Sequence, residues 1–238
     1  MRLSALNGKP EIFYTLQGEG PSCGQSATFM RLSGCNLQCS WCDTPYTWNW
    51  DNTTFEHPEK FDRQSQQAIL EPEQIIPLLE NDNQNLLVIT GGEPLLQQKA
   101  LAEMVTADLY PFVRTEIETN GTIVPIPELS NCHFNVSIKL SNSGMEETKR
   151  IKPEAIQALS KLKTIFKFVV STPDDIKEIK ELLEPYWITE NQVWLMPEGR
   201  TPEELNSKLE WLAQICIEEG YNLTNRLHIQ TWGNTRGV

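Results

Sequence analysis

Three cysteines fall within eight residues: Cys35, Cys39 and Cys42 follow the spacing C-x3-C-x2-C, with Trp41 before the last and Asp43-Thr44 after it. Three thiolates on one short loop can hold three irons of a cubane cluster and leave the fourth iron open to a small molecule. A zinc site is the alternative. A closed zinc site needs four ligands, and none of the three histidines, His57, His133 and His228, lies at finger-like spacing, so the ligand count favours iron–sulfur over zinc. Cys23, Cys132 and Cys216 share no spacing and read as free thiols.

Other segments carry chemistry less specifically. Gly91-Gly92-Glu93-Pro94 closes an apolar run, and a strand edge without side chains lets a ligand approach the backbone; the plain alternative is a strand-to-helix corner. Leu16-Gln17-Gly18-Glu19-Gly20 offers backbone donors and acceptors suited to a flat heterocycle, or is simply a glycine-rich turn. Arg31 sits inside an apolar run, where an unpaired cation is costly, so it requires a ligand carboxylate or an internal acid. Glu116 and Glu118, two apart, share a face on a strand. His228 reads as a polar site residue on the last strand or as a core histidine satisfied by its neighbours, the second being preferred.

Apolar runs predict strands at 27–32, 86–90, 112–117, 134–138, 164–170, 192–196 and 227–231. Helices are expected over 71–80, 94–107, 153–162, 173–183 and 202–219, with Pro72, Pro153, Pro173 and Pro202 in first turns, where a missing N–H is tolerated. Apolar strands alternating with helices give a mainly parallel α/β sheet, an open or partial (β/α)6 barrel. The polar and aromatic stretch at about 46–67 is expected as a loop or lid with one helical turn, inserted in a single domain spanning 1–238. Sites in such sheets lie at the C-terminal strand ends, where the cysteines, Gly91-Gly92 and Glu118 fall.

The 238-residue chain has 20 Lys+Arg against 32 Asp+Glu, a net charge of −12, which disfavours a phosphate backbone as direct partner. No stretch approaches the roughly 18 apolar residues of a membrane span, and Met1 to Phe13 lacks the apolar stretch of a signal peptide. A cytoplasmic protein with no membrane partner is expected. Clustered cysteines in a reducing compartment point to metal or redox chemistry, not disulfides.

The cluster motif after the first strand, with Trp41 before its last cysteine, and Gly91-Gly92-Glu93-Pro94 after the second together resemble the radical S-adenosylmethionine superfamily. A closer resemblance, to the 7-carboxy-7-deazaguanine synthase family, covers nearly the whole chain. It is carried by 11–20 (EIFYTLQGEG), Arg31, Cys42-Asp43-Thr44, 91–97 (GGEPLLQ), Glu118-Thr119-Asn120-Gly121 and the tail 232–238 (WGNTRGV). The resemblance implies conversion of 6-carboxy-5,6,7,8-tetrahydropterin to 7-carboxy-7-deazaguanine with loss of ammonia, in queuosine and 7-deazapurine biosynthesis. It implies a [4Fe-4S] cluster on Cys35, Cys39 and Cys42, S-adenosylmethionine on the free iron, and Mg²⁺ at Thr44. Leu16, Gln17, Gly18, Arg31, Thr90 and the Val238 carboxylate would bind the substrate. Gly92, Ser137, Ile138, Lys139, Met196, Pro197, Glu198 and Gly199 would bind S-adenosylmethionine, Ile138 replacing a proline found in some relatives. A homodimer and a flavodoxin or ferredoxin as electron donor are further implications. A glycyl-radical activating enzyme shares the cluster motif but would lack the Leu-Gln-Gly-Glu-Gly loop with Arg31, and a zinc-dependent interaction module is the non-enzymatic alternative.

Overall fold

Each long apolar run finds a partner on both sides, and the result is one eleven-stranded sheet in a computed structural model describing residues 1–55, 57–79 and 85–238. Its parallel part comprises β4 (Ser26–Leu32), β6 (Leu86–Gly91), β7 (Arg114–Thr119), β8 (His133–Val136), β9 (Thr164–Val170) and β10 (Val193–Pro197), extended by the two-residue β11 (Asn222–Leu223). An antiparallel edge of β1 (Arg2–Leu6), β2 (Lys9–Pro10), β3 (Ile12–Leu16) and β5 (Gln67–Ile69) joins it through β1 and β3, both paired with β4. The order runs β11-β10-β9-β8-β7-β6-β4-β1-β2 without closing, so the barrel is open, as the strand and helix alternation predicts. The antiparallel edge is absent from that prediction because its strands are only two to five residues long, too short for a clear period.

Helices α1 (Arg63–Gln66), α2 (Pro72–Leu79), α3 (Gln98–Val105), α4 (Glu147–Arg150), α5 (Pro153–Leu159), α6 (Asp174–Leu183) and α7 (Pro202–Glu219) connect the strands. The last residue of the expected 71–80 helix lies outside the described residues. α7 shows why its limits are readable. Thr201 accepts from the Glu204 N–H and the Glu204 side chain returns to the Thr201 backbone, while Gly220 ends the helix in the left-handed region at φ 73°.

The two faces of the sheet differ chemically. Leu32, Leu87, Ile89, Ile117, Phe134, Phe166, Phe168 and Leu195 point to the helices and are fully buried in the main core, each contributing about 1.5–3 kcal/mol relative to exposure. On the concave face a small cluster of Ala27, Leu86 and Val88, with Phe29 against it, fills the bottom. Above it stand polar side chains: Arg31 beside Thr90 in register, Glu118 beside Asn135, and Lys167. A concave face lined by charge is a binding chamber and not a second core.

One expected element has the wrong type. The run 227–231 is not a strand but helix α8 (Leu227–Trp232). Leu-His-Ile-Gln-Thr alternates over only five residues, too few to separate the two periods, and the edge of β10 is already taken by β11. The 46–67 stretch has more order than a loop: a 3-10 turn at Pro45–Thr47, a bridge between Trp50 and Phe61, and α1.

Candidate active site

The C-terminal ends of β4, β6, β7, β9 and β10, with the loops after them and the chain's tail, surround a cavity of about 520 Å³. It takes in Cys35, Cys39, Cys42, Thr44, Leu16, Gln17, Gly18, Arg31, Thr90, Gly92, Ser137, Lys139, Met196, Pro197, Glu198, Gly199 and Val238. Ile138 is the exception among the expected residues: its side chain is buried in the main core, and it is not part of the lining.

All six cysteines are free thiols, and only the clustered three reach the cavity. Burial pushes Cys35 up to about 12 and Cys39 up to about 11, so neither ionises at neutral pH without a cation or cluster to compensate. Donors already point at the sulfurs. The Leu37 N–H reaches Cys35 Sγ at 3.4 Å and Trp48 Nε1 reaches Cys42 Sγ at 3.3 Å. Among the described residues no three His, Cys, Asp or Glu side chains converge to hold a single metal ion. Three thiols spread around one chamber, with N–H donors on two of them, fit an iron–sulfur cluster better than mononuclear zinc.

The cluster loop is held from behind by two glycines. A Cβ on Gly91, at φ 128°, would overlap the Leu32 backbone, and one on Gly92 would overlap the Gly34 carbonyl. The Gly92 and Glu93 N–H groups donate to Leu32 O at 3.2 Å and Gly34 O at 2.8 Å. Glycine is therefore required at both positions first for backbone-to-backbone docking of the two loops. The Glu93 carboxylate is fully buried, accepting from Leu95 N at 2.9 Å, Thr119 Oγ1 at 2.8 Å and Asn120 N at 2.7 Å. It ties the end of β6 to the end of β7; burial raises its pKa although these donors oppose the shift.

Two charge networks form the chamber's walls. Arg31 is ion-paired through Nε to Glu11 at 3.0 Å, and Glu11 also holds Arg236 of the tail at 2.8 Å. Arg236 lies 3.6 Å over the Tyr46 ring and reaches Ser4 Oγ and Ala5 O, fixing the segment that ends in Val238. Among the described residues Arg31 uses only Nε for an ion pair, which leaves the outer edge of its guanidinium to a ligand.

In the second network Arg226 donates through Nε to Glu19 at 3.1 Å, through Nη1 to Gly199 O at 2.7 Å, and through Nη2 to Asp43. Lys167, 4% exposed, bridges Glu19 and, at 2.9 Å, Glu118. Burial disfavours ionisation of Glu19, but Lys167 and Arg226 outweigh it and hold the carboxyl far below its ordinary range. Asp43 is lowered in the same way, Arg226 overcoming burial. Glu116 and Glu118 do share a face: Asn135 Nδ2 donates to both, at 3.1 and 2.9 Å, and Gln17 Nε2 to both, at 3.4 and 3.3 Å. Gln17 thereby spends its side-chain amide inside the protein.

His228 is not in the core. It lines the cavity from α8, with Nε2 3.4 Å from Arg226 Nη2, and its ring fills the space a Cβ at Gly18 would occupy. Sequence reasoning missed Arg226, Lys167 and Arg236. The one available signal was a lone Lys within the run 164–170 (TIFKFVV), the same pattern that drew attention to Arg31.

Comparison with known proteins agrees with this geometry. Residues 16–160 match a family model described as a 4Fe-4S single cluster domain. The chain is 36% identical to the 7-carboxy-7-deazaguanine synthase of Pyrobaculum aerophilum, over 95% of each chain. It is 34% identical to that of Halobacterium salinarum, over 94% of this chain and 90% of the other. The crystal structure of QueE from Escherichia coli superposes with a TM-score of 0.68 at 25% identity, covering 92% of both chains.

Proposed function

The chain belongs to the 7-carboxy-7-deazaguanine synthase family, and on that premise we propose that it converts 6-carboxy-5,6,7,8-tetrahydropterin to 7-carboxy-7-deazaguanine and ammonia by radical ring contraction, in queuosine or 7-deazapurine biosynthesis. The observation that carries the proposal is the convergence of Arg31, Thr90 and Val238 on the chamber that also receives the three cysteines. A carboxylate clamp and a cluster site thus face the same space.

Cys35, Cys39 and Cys42 hold the [4Fe-4S] cluster. With S-adenosylmethionine bound, the cluster would supply a 5′-deoxyadenosyl radical able to take hydrogen from C6 of the pterin. The chain's own contribution is orientation and exclusion of water. Arg31 offers two N–H groups to the pterin carboxylate, in the bidentate geometry that distinguishes Arg from Lys. Thr90, its in-register neighbour, the backbone of Leu16, Gln17 and Gly18, and Val238 border the ring. Gly92, Ser137, Lys139 and the 196–199 segment border the S-adenosylmethionine. Of these, Lys139 is held by Ser137 Oγ at 2.7 Å and lies over the Trp41 ring at 5.3 Å.

Mg²⁺ at Thr44 completes the proposal. Asp43 is engaged by Arg226, so the protein offers the ion one neutral hydroxyl, and substrate oxygens and water must fill the shell. Glu19 and Asp43, held ionised in the walls, and His228 border the same space.

The chain functions as one radical S-adenosylmethionine unit, forms a homodimer and takes electrons from a flavodoxin or ferredoxin. No helix among the described residues is long and apolar enough to cross a membrane, in keeping with a cytoplasmic enzyme acting on a free small molecule. Anaerobic incubation of the reconstituted protein with the carboxytetrahydropterin, Mg²⁺, S-adenosylmethionine and reductant should yield 7-carboxy-7-deazaguanine by mass. Unchanged pterin alongside an intact cluster would refute the assignment.

A further inference from the structure

The described aromatic residues between Cys42 and α1 are organised around one side chain. Trp48 is 3% exposed and packs against Phe55, with ring centroids 5.7 Å apart, and edge-on against His57 at 5.6 Å. Asn49, fully buried beside it, binds the carbonyls of His57 and Glu59 and accepts from Lys60 Nζ at 2.8 Å. Tyr46 and Phe61 close the other side, centroids 6.1 Å apart. This aromatic packing fixes the indole so that Nε1–H points at Cys42 Sγ, 3.3 Å away. Trp41, adjacent to Cys42 in sequence, does not do this: its Nε1 donates to Asn142 Oδ1 at 3.2 Å.

We propose that Trp48 is a positioning residue that tunes the iron–sulfur cluster, its N–H···S bond making the cluster easier to reduce, and that Tyr46, Asn49, Phe55, His57 and Phe61 hold that indole. The inference rests on the reading that Cys35, Cys39 and Cys42 carry the cluster. A donor on a cysteine sulfur stabilises the state with more negative charge on the cluster, which is the reduced one, so the bond raises the reduction potential. Burial of the indole strengthens the effect by removing competing water.

The test is Trp48→Phe, which keeps an aromatic ring and removes the donor. Wild-type and variant proteins are reconstituted anaerobically, checked for iron and sulfide content, and titrated redox-potentiometrically by electron paramagnetic resonance. The variant's midpoint is expected at a more negative potential, so that at the poise that half-reduces the wild type its reduced fraction falls well below one half. A fully loaded variant with the wild-type midpoint overturns the proposal. If the variant fails to load, pulsed resonance on reduced wild-type protein containing indole-¹⁵N tryptophan decides the matter. A nitrogen coupling to the cluster supports the bond, and its absence overturns it, since the Trp41 donor points elsewhere. Failure of the wild type itself to bind a cluster would instead refute the proposed function, so the two readings fail separately.

Discussion

Lys167→Met removes the cation that joins Glu19 and Glu118 while keeping most of the side-chain volume. The lysine side chain is 5% exposed and both carboxylates are 16% exposed, so solvent screens the lost interaction poorly. Breaking a buried pair by deleting one partner costs about 3–5 kcal/mol. Here the lower end applies, because Glu19 retains Arg226 and Glu118 retains the amides of Asn135 and Gln17. The prediction is a loss of about 3 kcal/mol at pH 7, read by urea unfolding of apo wild-type and variant proteins. The pH dependence has a definite sign. Glu19 has its carboxyl lowered in the folded protein, so its contribution is full above the ordinary carboxylate value of 4.5 and is lost only as pH falls toward the lower folded value. In the variant the same carboxyl titrates higher, and protonating it relieves the repulsion. The stability gap should therefore narrow below about pH 4.5. A gap under about 1 kcal/mol at pH 7, or one that widens on acidification, would show that the network does not hold the chamber together.

Further outcomes follow from the same geometry. Gly92→Ala places a methyl group against the Gly34 carbonyl, so the cluster loop must shift; iron content after reconstitution is expected to drop severalfold, and wild-type loading would contradict the docking role. Gly18→Ala displaces the His228 ring and is expected to lower pterin turnover while leaving iron content intact, measured on the same preparations. Thr44→Ala should weaken the Mg²⁺ dependence of turnover, and an unaltered metal titration would place the ion elsewhere.

The parts of this site that could be read from sequence are those whose ligands are close together in the chain. Cys35, Cys39 and Cys42 share one loop, and the strand Thr164–Val170 and the helix Pro202–Glu219 carry their own periodicity and caps. Arg226 reaches Asp43 across 183 positions and Lys167 reaches Glu19 across 148; no local pattern encodes such a meeting, which arises from strand order and loop direction. The misread 227–231 segment carried His228 with it. On a strand the histidine could serve either the core or the site; on a helix that packs over Gly18, it lines the chamber. Gly91 and Gly92 admit the backbone of Leu32 at the end of β4 and of Gly34 before Cys35, a close approach that sequence alone assigns to a ligand.

On the proposed function, the hydrogen taken from C6 would return from 5′-deoxyadenosine to the rearranged product, so that S-adenosylmethionine is regenerated in each turnover. The most direct measurement is anaerobic turnover with S-adenosylmethionine limiting and pterin in excess, quantifying 7-carboxy-7-deazaguanine and 5′-deoxyadenosine together. Many product molecules per S-adenosylmethionine are predicted, with little 5′-deoxyadenosine. Stoichiometric 5′-deoxyadenosine without deazaguanine would contradict the account.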